Sequence, residues 1–233
     1  MEIFIDSANI KEIGKWLEYG IADGVTTNPS IMLKDGVYDI EKGAKEIARL
    51  IKPRPLSVEV TSNNLDEMST QARQFASWAD NIVIKIPQIN TDGVPCYGII
   101  NKLEASGIKV NATVALSFGQ VILAAKSKAT YISIFAGRVT DEGGDASLII
   151  RNSVEWLSRW KYTSKIIIGS IRSVGDVLTA ALAGAHIITI PPQFIDKMAD
   201  HRNTRATVEQ FLGDAQKALE MMRQMKKAGS RAK

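Results

Sequence analysis

The sequence predicts an α/β fold, a (β/α)8 TIM barrel of parallel strands with an extra C-terminal helix. Short apolar runs alternate with amphipathic stretches of helical period along the chain. Eight such runs recur at roughly 25–30 residues, the pattern of βα units in a parallel sheet. The length, 233 residues, is close to the ~250 typical of that barrel. A doubly wound open sheet is the alternative. No G-x-G-x-x-G follows the first run, which argues against its dinucleotide-binding version.

Taken in order, Glu2–Asp6 reads as the first strand, and Asn9 caps a helix reaching about Tyr19. Gly24–Thr27 is the second strand, stopped by Asn28-Pro29. A helix is expected from about Asp39 to Ile51, then a third strand over Leu56–Val60 and a helix from Leu65 to Trp78. Asn81–Ile86 is the fourth strand, rich in β-branched residues as strands buried on both faces are, with Pro87 at its end. A loop through Asn90–Gly93 leads to a helix near Tyr97–Ala105. Lys109–Thr113 is the fifth strand, Ser117–Ala125 a helix and Thr130–Phe135 the sixth strand. Gly137–Asp145 reads as a long glycine-containing loop before a helix to about Trp160. Lys165–Ile168 and His186–Ile190 are the last two strands, separated by a helix over Val174–Ala183. An amphipathic helix from about Thr204 to Met225 closes the chain. Arg223, Lys226, Lys227, Arg231 and Lys233 read as a solvated, fraying basic tail. No composition shift or Pro/Gly/Ser-rich linker marks a boundary, so residues 1–233 are expected to form a single barrel domain.

Composition narrows the function classes. Hydrophobic residues make up 45% and charged residues 23%, enough apolar content for a sizeable core. Net charge is only +4, and the 29 basic and 25 acidic residues are mixed along the chain, which argues against a nucleic-acid partner. The lone Cys96 excludes an internal disulfide and a cysteine-built metal site, and fits a reducing compartment. Met1 runs straight into Glu2-Ile3-Phe4-Ile5 with no signal-peptide pattern, and no apolar run approaches the ~20 residues that span a bilayer. A cytoplasmic protein with no membrane partner is expected. His186 and His201 are too few and too scattered for a metal site or a Ser-His-Asp triad. His186, on an apolar strand, reads as a satisfied core histidine, and no metal or cofactor is expected.

The polar residues inside the strand runs carry the functional signal. Lys85 is the single charge in Ile82–Ile86. Burial disfavours an ammonium and leaves more free amine, which attacks carbonyls and forms Schiff bases. A barrel of this kind places its active site at the C-terminal strand ends. Asp6 ends the first strand, and Thr27 and Asn28 the second. Glu59 lies in the third, Asn111 and Thr113 in the fifth, Ser133 and Phe135 in the sixth, while Ser170 and Arg172 follow the seventh. Grouped at one rim, such residues pair with each other and with a substrate, whereas buried polar groups cost free energy unpaired. Asp6 and Glu59 form an acid/base pair, or salt bridges beside Lys85, and the two roles are compatible. Asn28 and Asn111 offer donor and acceptor to vicinal hydroxyls, with turn or cap chemistry as the plainer role. Arg138 and Arg172 suit a phosphate. Trp16, Trp78, Trp156 and Trp160 read as packing residues.

Five segments resemble the transaldolase family, and more narrowly its short branch, which includes fructose-6-phosphate aldolases. They are Phe4–Ala8, Asp23–Ser30, Val83–Pro87, Val110–Thr113 and Ile132–Arg138, and the likeness runs from about residue 2 to about residue 215. Thr-Thr-Asn-Pro-Ser at 26–30 together with Lys-Ile-Pro at 85–87 is quite specific. The resemblance implies a class I, Schiff-base enzyme without metal, acting on sugar phosphates. By motif match Lys85 forms the imine, and Asp6 handles the proton of the hydroxyl at the cleaved bond. Glu59 and Thr113 hold a relay water. Asn28, Asn111 and Ser133 bind the dihydroxyacetone unit, with Thr27 and Phe135 in the same substrate set. Arg138, Ser170 and Arg172 bind the phosphate. It also implies a homo-oligomer, a pentamer or decamer, using the C-terminal helix. There Val208, Phe211, Leu212, Ala215 and Leu219 make an apolar stripe, whose plainer role is packing on the chain's own barrel.

Within the family pattern the aldolases carry glutamine at the third-strand position and tyrosine near the end of the sixth. Glu59 and Phe135 stand there instead, which points to group transfer rather than release of free dihydroxyacetone. The segment between Pro87 and Ser106 is longer than the short branch leads one to expect. Its added loop, Thr91–Tyr97, falls beside Lys85 at the substrate face, and the loop 139–144 also bears on the substrate.

Overall fold

The computed structural model describes the backbone of residues 1–231. The eight expected strands are all present: β1 (Glu2–Asp6), β2 (Gly24–Thr26), β3 (Leu56–Glu59), β4 (Ile82–Pro87), β5 (Val110–Ala115), β6 (Tyr131–Phe135), β7 (Lys165–Gly169) and β8 (Ile187–Ile190). They close in sequence order into a barrel, each pair parallel, with β8 returning to β1. Strands covered on both faces must be apolar on both. Ile166, Ile167 and Ile168 of β7 are accordingly all buried, as are Ile82 to Ile86 of β4, Lys85 included.

The helices between strands are α1 (Ile10–Glu18), α2 (Pro29–Lys34), α3 (Ile40–Ile51), α4 (Leu65–Ala76), α5 (Tyr97–Ala105), α6 (Phe118–Lys126), α7 (Ala136–Asp141), α8 (Ala146–Arg159) and α9 (Val174–Leu182). Most start on a side-chain cap that the sequence signals. Asn9, Asn64, Ser117 and Asp145 each accept from backbone N–H groups of the first turn, and Ser173 forms a capping box with Asp176. After β8 come α10 (Pro192–Ala199) and α11 (Arg202–Arg231).

Three short helices depart from the sequence reading. Asn28-Pro29 stops β2 but also starts α2, since Asn28 accepts from Ile31 N–H and proline fits the first helical turn. The segment read as a loop over Gly137–Asp145 is largely helical, as α7. Phe135 precedes it and offers no capping side chain, so the usual start signal is missing. α10 was not expected. α11 runs past the expected end near Met225, so the basic segment read as a fraying tail is helical through Arg231, and Lys233 lies outside the described residues.

The first compact unit spans Met1–Phe194 and holds the whole barrel; the second begins at Ile195. Inside the barrel, Phe4, Ile167 and Ile187 form a buried cluster with Tyr131 against it. Gly24 faces the Phe4 ring, and a Cβ there would lie 2.7 Å from it. A larger residue on β2 would displace the plug that fills the barrel below the site. Apolar side chains of α11 are exposed, among them Val208, Phe211, Leu212 and Leu219. No helix among the described residues is long and apolar enough to cross a membrane.

Candidate active site

A cavity of about 500 Å³ opens at the C-terminal ends of the strands. Its wall includes Asp6, Asn28, Glu59, Lys85, Ser133, Phe135, Arg138 and Ser170, which are expected site residues brought together from six strands and the turns after them. Ladder register explains the grouping. Glu59 is opposite Lys85, and Lys85 is opposite Asn111, so three polar side chains share one face in a row across β3, β4 and β5.

Lys85 is 4% exposed, yet its Nζ is not left among apolar groups. It lies 3.0 Å from Glu59 Oε2 and donates to the Thr27 carbonyl at 2.9 Å. The amine that the sequence places in an apolar run thus has a carboxylate and a carbonyl in contact. Glu59 keeps 19% side-chain exposure, so the same carboxylate that holds the ammonium also faces the cavity and can take its proton. Asp6 contrasts with it. Burial pushes its carboxyl above the usual range, opposed by the Thr26 hydrogen bond and the Lys85 charge, and assisted by Asp35 and Glu59.

Asn111 is fully buried, with its amide held at both ends. Nδ2 donates to Ser57 Oγ at 3.3 Å, and Oδ1 accepts from Ser133 Oγ at 2.7 Å. It reaches the cavity through Ser133 rather than lining it. Thr27 also stands behind the wall, its hydroxyl donating to the Ser57 carbonyl. Thr113 is fully buried with a hydroxyl that has no hydrogen-bond partner among the described residues. Thr113 stands behind the cavity wall rather than lining it, and a water is the usual partner of such an orphan. Asn28 spends Oδ1 on capping α2 and keeps its NH2 for the cavity.

The two arginines separate. Arg138 lines the cavity, is exposed, and makes no ion pair among the described residues. Arg172 does not line it, and its guanidinium is held by Asp141 at 2.6 Å. Gly137 allows the turn after β7 to pack against α7: a Cβ there would lie 2.2 Å from the Ser170 carbonyl oxygen and 2.9 Å from Arg172 Nε. Ser170 itself takes φ 61, in the left-handed region that few non-glycine residues adopt.

The extra loop after β4 stays off the cavity wall. It folds onto the loop after β3. Thr91 N–H donates to Asn63 Oδ1 at 2.8 Å, and Asn63 Nδ2 donates to Asp92 Oδ2 at 3.1 Å. Residues 139–144 also stay off that wall, Asp141 acting through Arg172. Thr26, Ser57 and Thr189 belong to the site and escaped the sequence reading. Thr189 carries the signal that marks Lys85, one polar residue in an apolar strand, but a threonine is common in strands and does not stand out.

A family model described as "Transaldolase/Fructose-6-phosphate aldolase" matches residues 3–232. The chain belongs to that enzyme family. It is 41% identical over 217 residues to a "Probable transaldolase" of Petrotoga mobilis, covering 93% of this chain and 96% of that one. It is 41% identical over 214 residues to a "Probable transaldolase 2" of Listeria monocytogenes, covering 92% and 95%. Among solved structures, thiamine phosphate pyrophosphorylase from Pyrococcus furiosus superposes with a TM-score of 0.56 at 14% identity, over 82% of this chain and 85% of that one. That likeness concerns the barrel alone.

Proposed function

We propose that the protein is a class I transaldolase that moves a dihydroxyacetone unit between phosphosugars through a Schiff base on Lys85. The observation that carries this is the buried Lys85 amine, 3.0 Å from Glu59, with Asp6 in the same cavity at the strand ends. Glu59 takes a proton from the Lys85 ammonium. The free amine adds to the ketose carbonyl, the carbinolamine hydroxyl takes that proton back from Glu59 and leaves as water, and the protonated imine forms. Asp6 takes the proton of the hydroxyl next to the breaking C–C bond, and the electron pair of that bond moves into the imine as an enamine. The aldose phosphate leaves. An acceptor aldehyde then takes up the enamine carbon, and its oxygen regains the proton from Asp6. Water returns through Glu59 and Thr113 to release the product. Asn28, and Asn111 through Ser133, hold the three-carbon unit, while Arg138 and Ser170 face the phosphate. No metal or organic cofactor takes part.

Relatives named probable transaldolase support transfer over release of free dihydroxyacetone, as does Glu59. A carboxylate passes a proton to and from water at neutral pH, which an amide does not. Fructose 6-phosphate turnover should rise when erythrose 4-phosphate is added. Equal rates without an acceptor would make the enzyme an aldolase. The protein acts in the cytoplasm in this reading. It assembles with copies of itself, as a pentamer or decamer, through the exposed apolar side chains of α11. A monomeric mass in solution removes the assembly.

A further inference from the structure

Asp6 does not meet the cavity as a bare carboxylate. On β2, opposite it in the ladder, Thr26 donates its hydroxyl to Asp6 Oδ1 at 2.7 Å. Thr26 Oγ1 is in turn in close hydrogen-bond contact with Thr189 Oγ1 of β8. Both hydroxyls are nearly excluded from solvent, at 2% and 5% residue exposure. A threonine hydroxyl has one proton. When Thr26 gives its proton to Asp6, the contact with Thr189 requires Thr189 to be the donor. The chain therefore has one direction, from Thr189 to Thr26 to Asp6 Oδ1. Asp6 Oδ2 has no hydrogen-bond partner among the described residues.

We propose that Thr26 and Thr189 are positioning residues for Asp6. Their two-hydroxyl chain pins Oδ1 and leaves Oδ2 as the atom that exchanges a proton with the substrate hydroxyl. The chain works against the surroundings. Burial opposes charge on Asp6 most, and Asp35 at the end of α2 and Glu59 on β3 add to it, while the Thr26 hydrogen bond and then Lys85 on β4 favour it. The Thr26 proton is the one neutral donor in that balance. Hydrogen bonds that polarise one another inside a barrel are stronger than isolated ones, which gives Thr189 its part without touching Asp6.

The proposal rests on the proton-exchange role given to Asp6, but its first readout does not. The Asp6 carboxyl is titrated in the free protein by its 13C resonance, assigned with Asp6→Asn. Thr26→Val keeps the β-branched shape and removes the donor; the midpoint should rise by about one pH unit, the scale of one charge-assisted hydrogen bond. Thr26→Ser should keep the wild-type midpoint. Thr189→Val should raise it by less, and should add nothing in the Thr26→Val background, because it acts only through Thr26. The acid limb of kcat/KM should move with the midpoint. An unmoved midpoint in Thr26→Val overturns the proposal, as does a Thr189→Val shift undiminished in the double variant. Titrations that move while the acid limb stays would leave the hydroxyl chain standing and remove Asp6 from the reaction.

Discussion

The two ends of the barrel carry similar polar side chains and use them in opposite ways. At the N-terminal ends of the strands, Lys165 Nζ meets Glu2 Oε1 at 2.6 Å, and His186 Nδ1 accepts from Ile166 N–H at 3.0 Å. Those polar groups close hydrogen bonds with their neighbours. At the C-terminal ends, Thr113 has an orphan hydroxyl and Arg138 no ion pair among the described residues, and burial pushes the Asp6 carboxyl up. Asn81 at the N-terminal rim also keeps an unpartnered Oδ1 among the described residues, so an orphan alone does not mark a ligand site; the C-terminal rim differs in having a cavity that Asp6 and Arg138 line. Unmet hydrogen-bonding capacity costs stability at either end.

The sharpest way to break that contrast is at Lys85. Lys85→Met should abolish turnover while circular dichroism still reports a folded barrel. Borohydride with fructose 6-phosphate should add the sugar's reduced mass to Lys85 in the wild type and to nothing in the variant. Labelling at another lysine would move the reactive centre elsewhere.

Asp6→Asn should reduce kcat by roughly 10²–10⁴-fold, the range of a lost general base. It should also raise the melting temperature at neutral pH. The Asp6 carboxyl is raised in the folded state, so its contribution is favourable below about pH 3.8 and is lost as pH rises through the folded value. Above that window the ionised group weighs against folding, and an amide does not. A lower melting temperature would place Asp6 among the stabilising groups, with the other rim.

The arginines sharpen the comparison inside the catalytic rim. Arg138→Ala should weaken phosphorylated substrates by roughly 1.5–3 kcal/mol, the scale of a hydrogen bond to a charged group, and spare free dihydroxyacetone. Arg172→Ala should cost less, because Asp141 already neutralises it. Michaelis constants for fructose 6-phosphate in the two variants decide the order, and equal losses would return Arg172 to the phosphate.

The smallest effects belong to the opposite rim. Lys165→Ala should change stability by about 0.2–1 kcal/mol, as exposed ion pairs do, and leave kcat/KM unchanged. Burial lowers the His186 pKa, with the Lys165 charge adding to it. Its contribution is therefore present above about pH 6.5 and lost as pH falls toward the depressed folded value. Chemical denaturation of His186→Gln should show a flatter decline of stability below pH 6.5 than the wild type.

Strand positions, the count of eight βα units and the cap at Asn9 were legible in the residues, because β-branched runs, helical period and an Asn cap are local in sequence. So was the polar set at the strand ends, with Lys85 the clearest member, since a single charge in Ile82–Ile86 contrasts with its immediate neighbours. Which residues meet was decided by tertiary structure. Glu59, Lys85 and Asn111 form a row because parallel register places them opposite one another, and register is a relation between strands. Arg138 and Arg172 look alike in sequence; only the fold sets Asp141 against one and opens the cavity to the other. Thr26 and Thr189 are 163 residues apart, and no local pattern joins them. Closing the barrel brings β8 beside β1, and with that step two ordinary strand threonines come to serve one carboxylate.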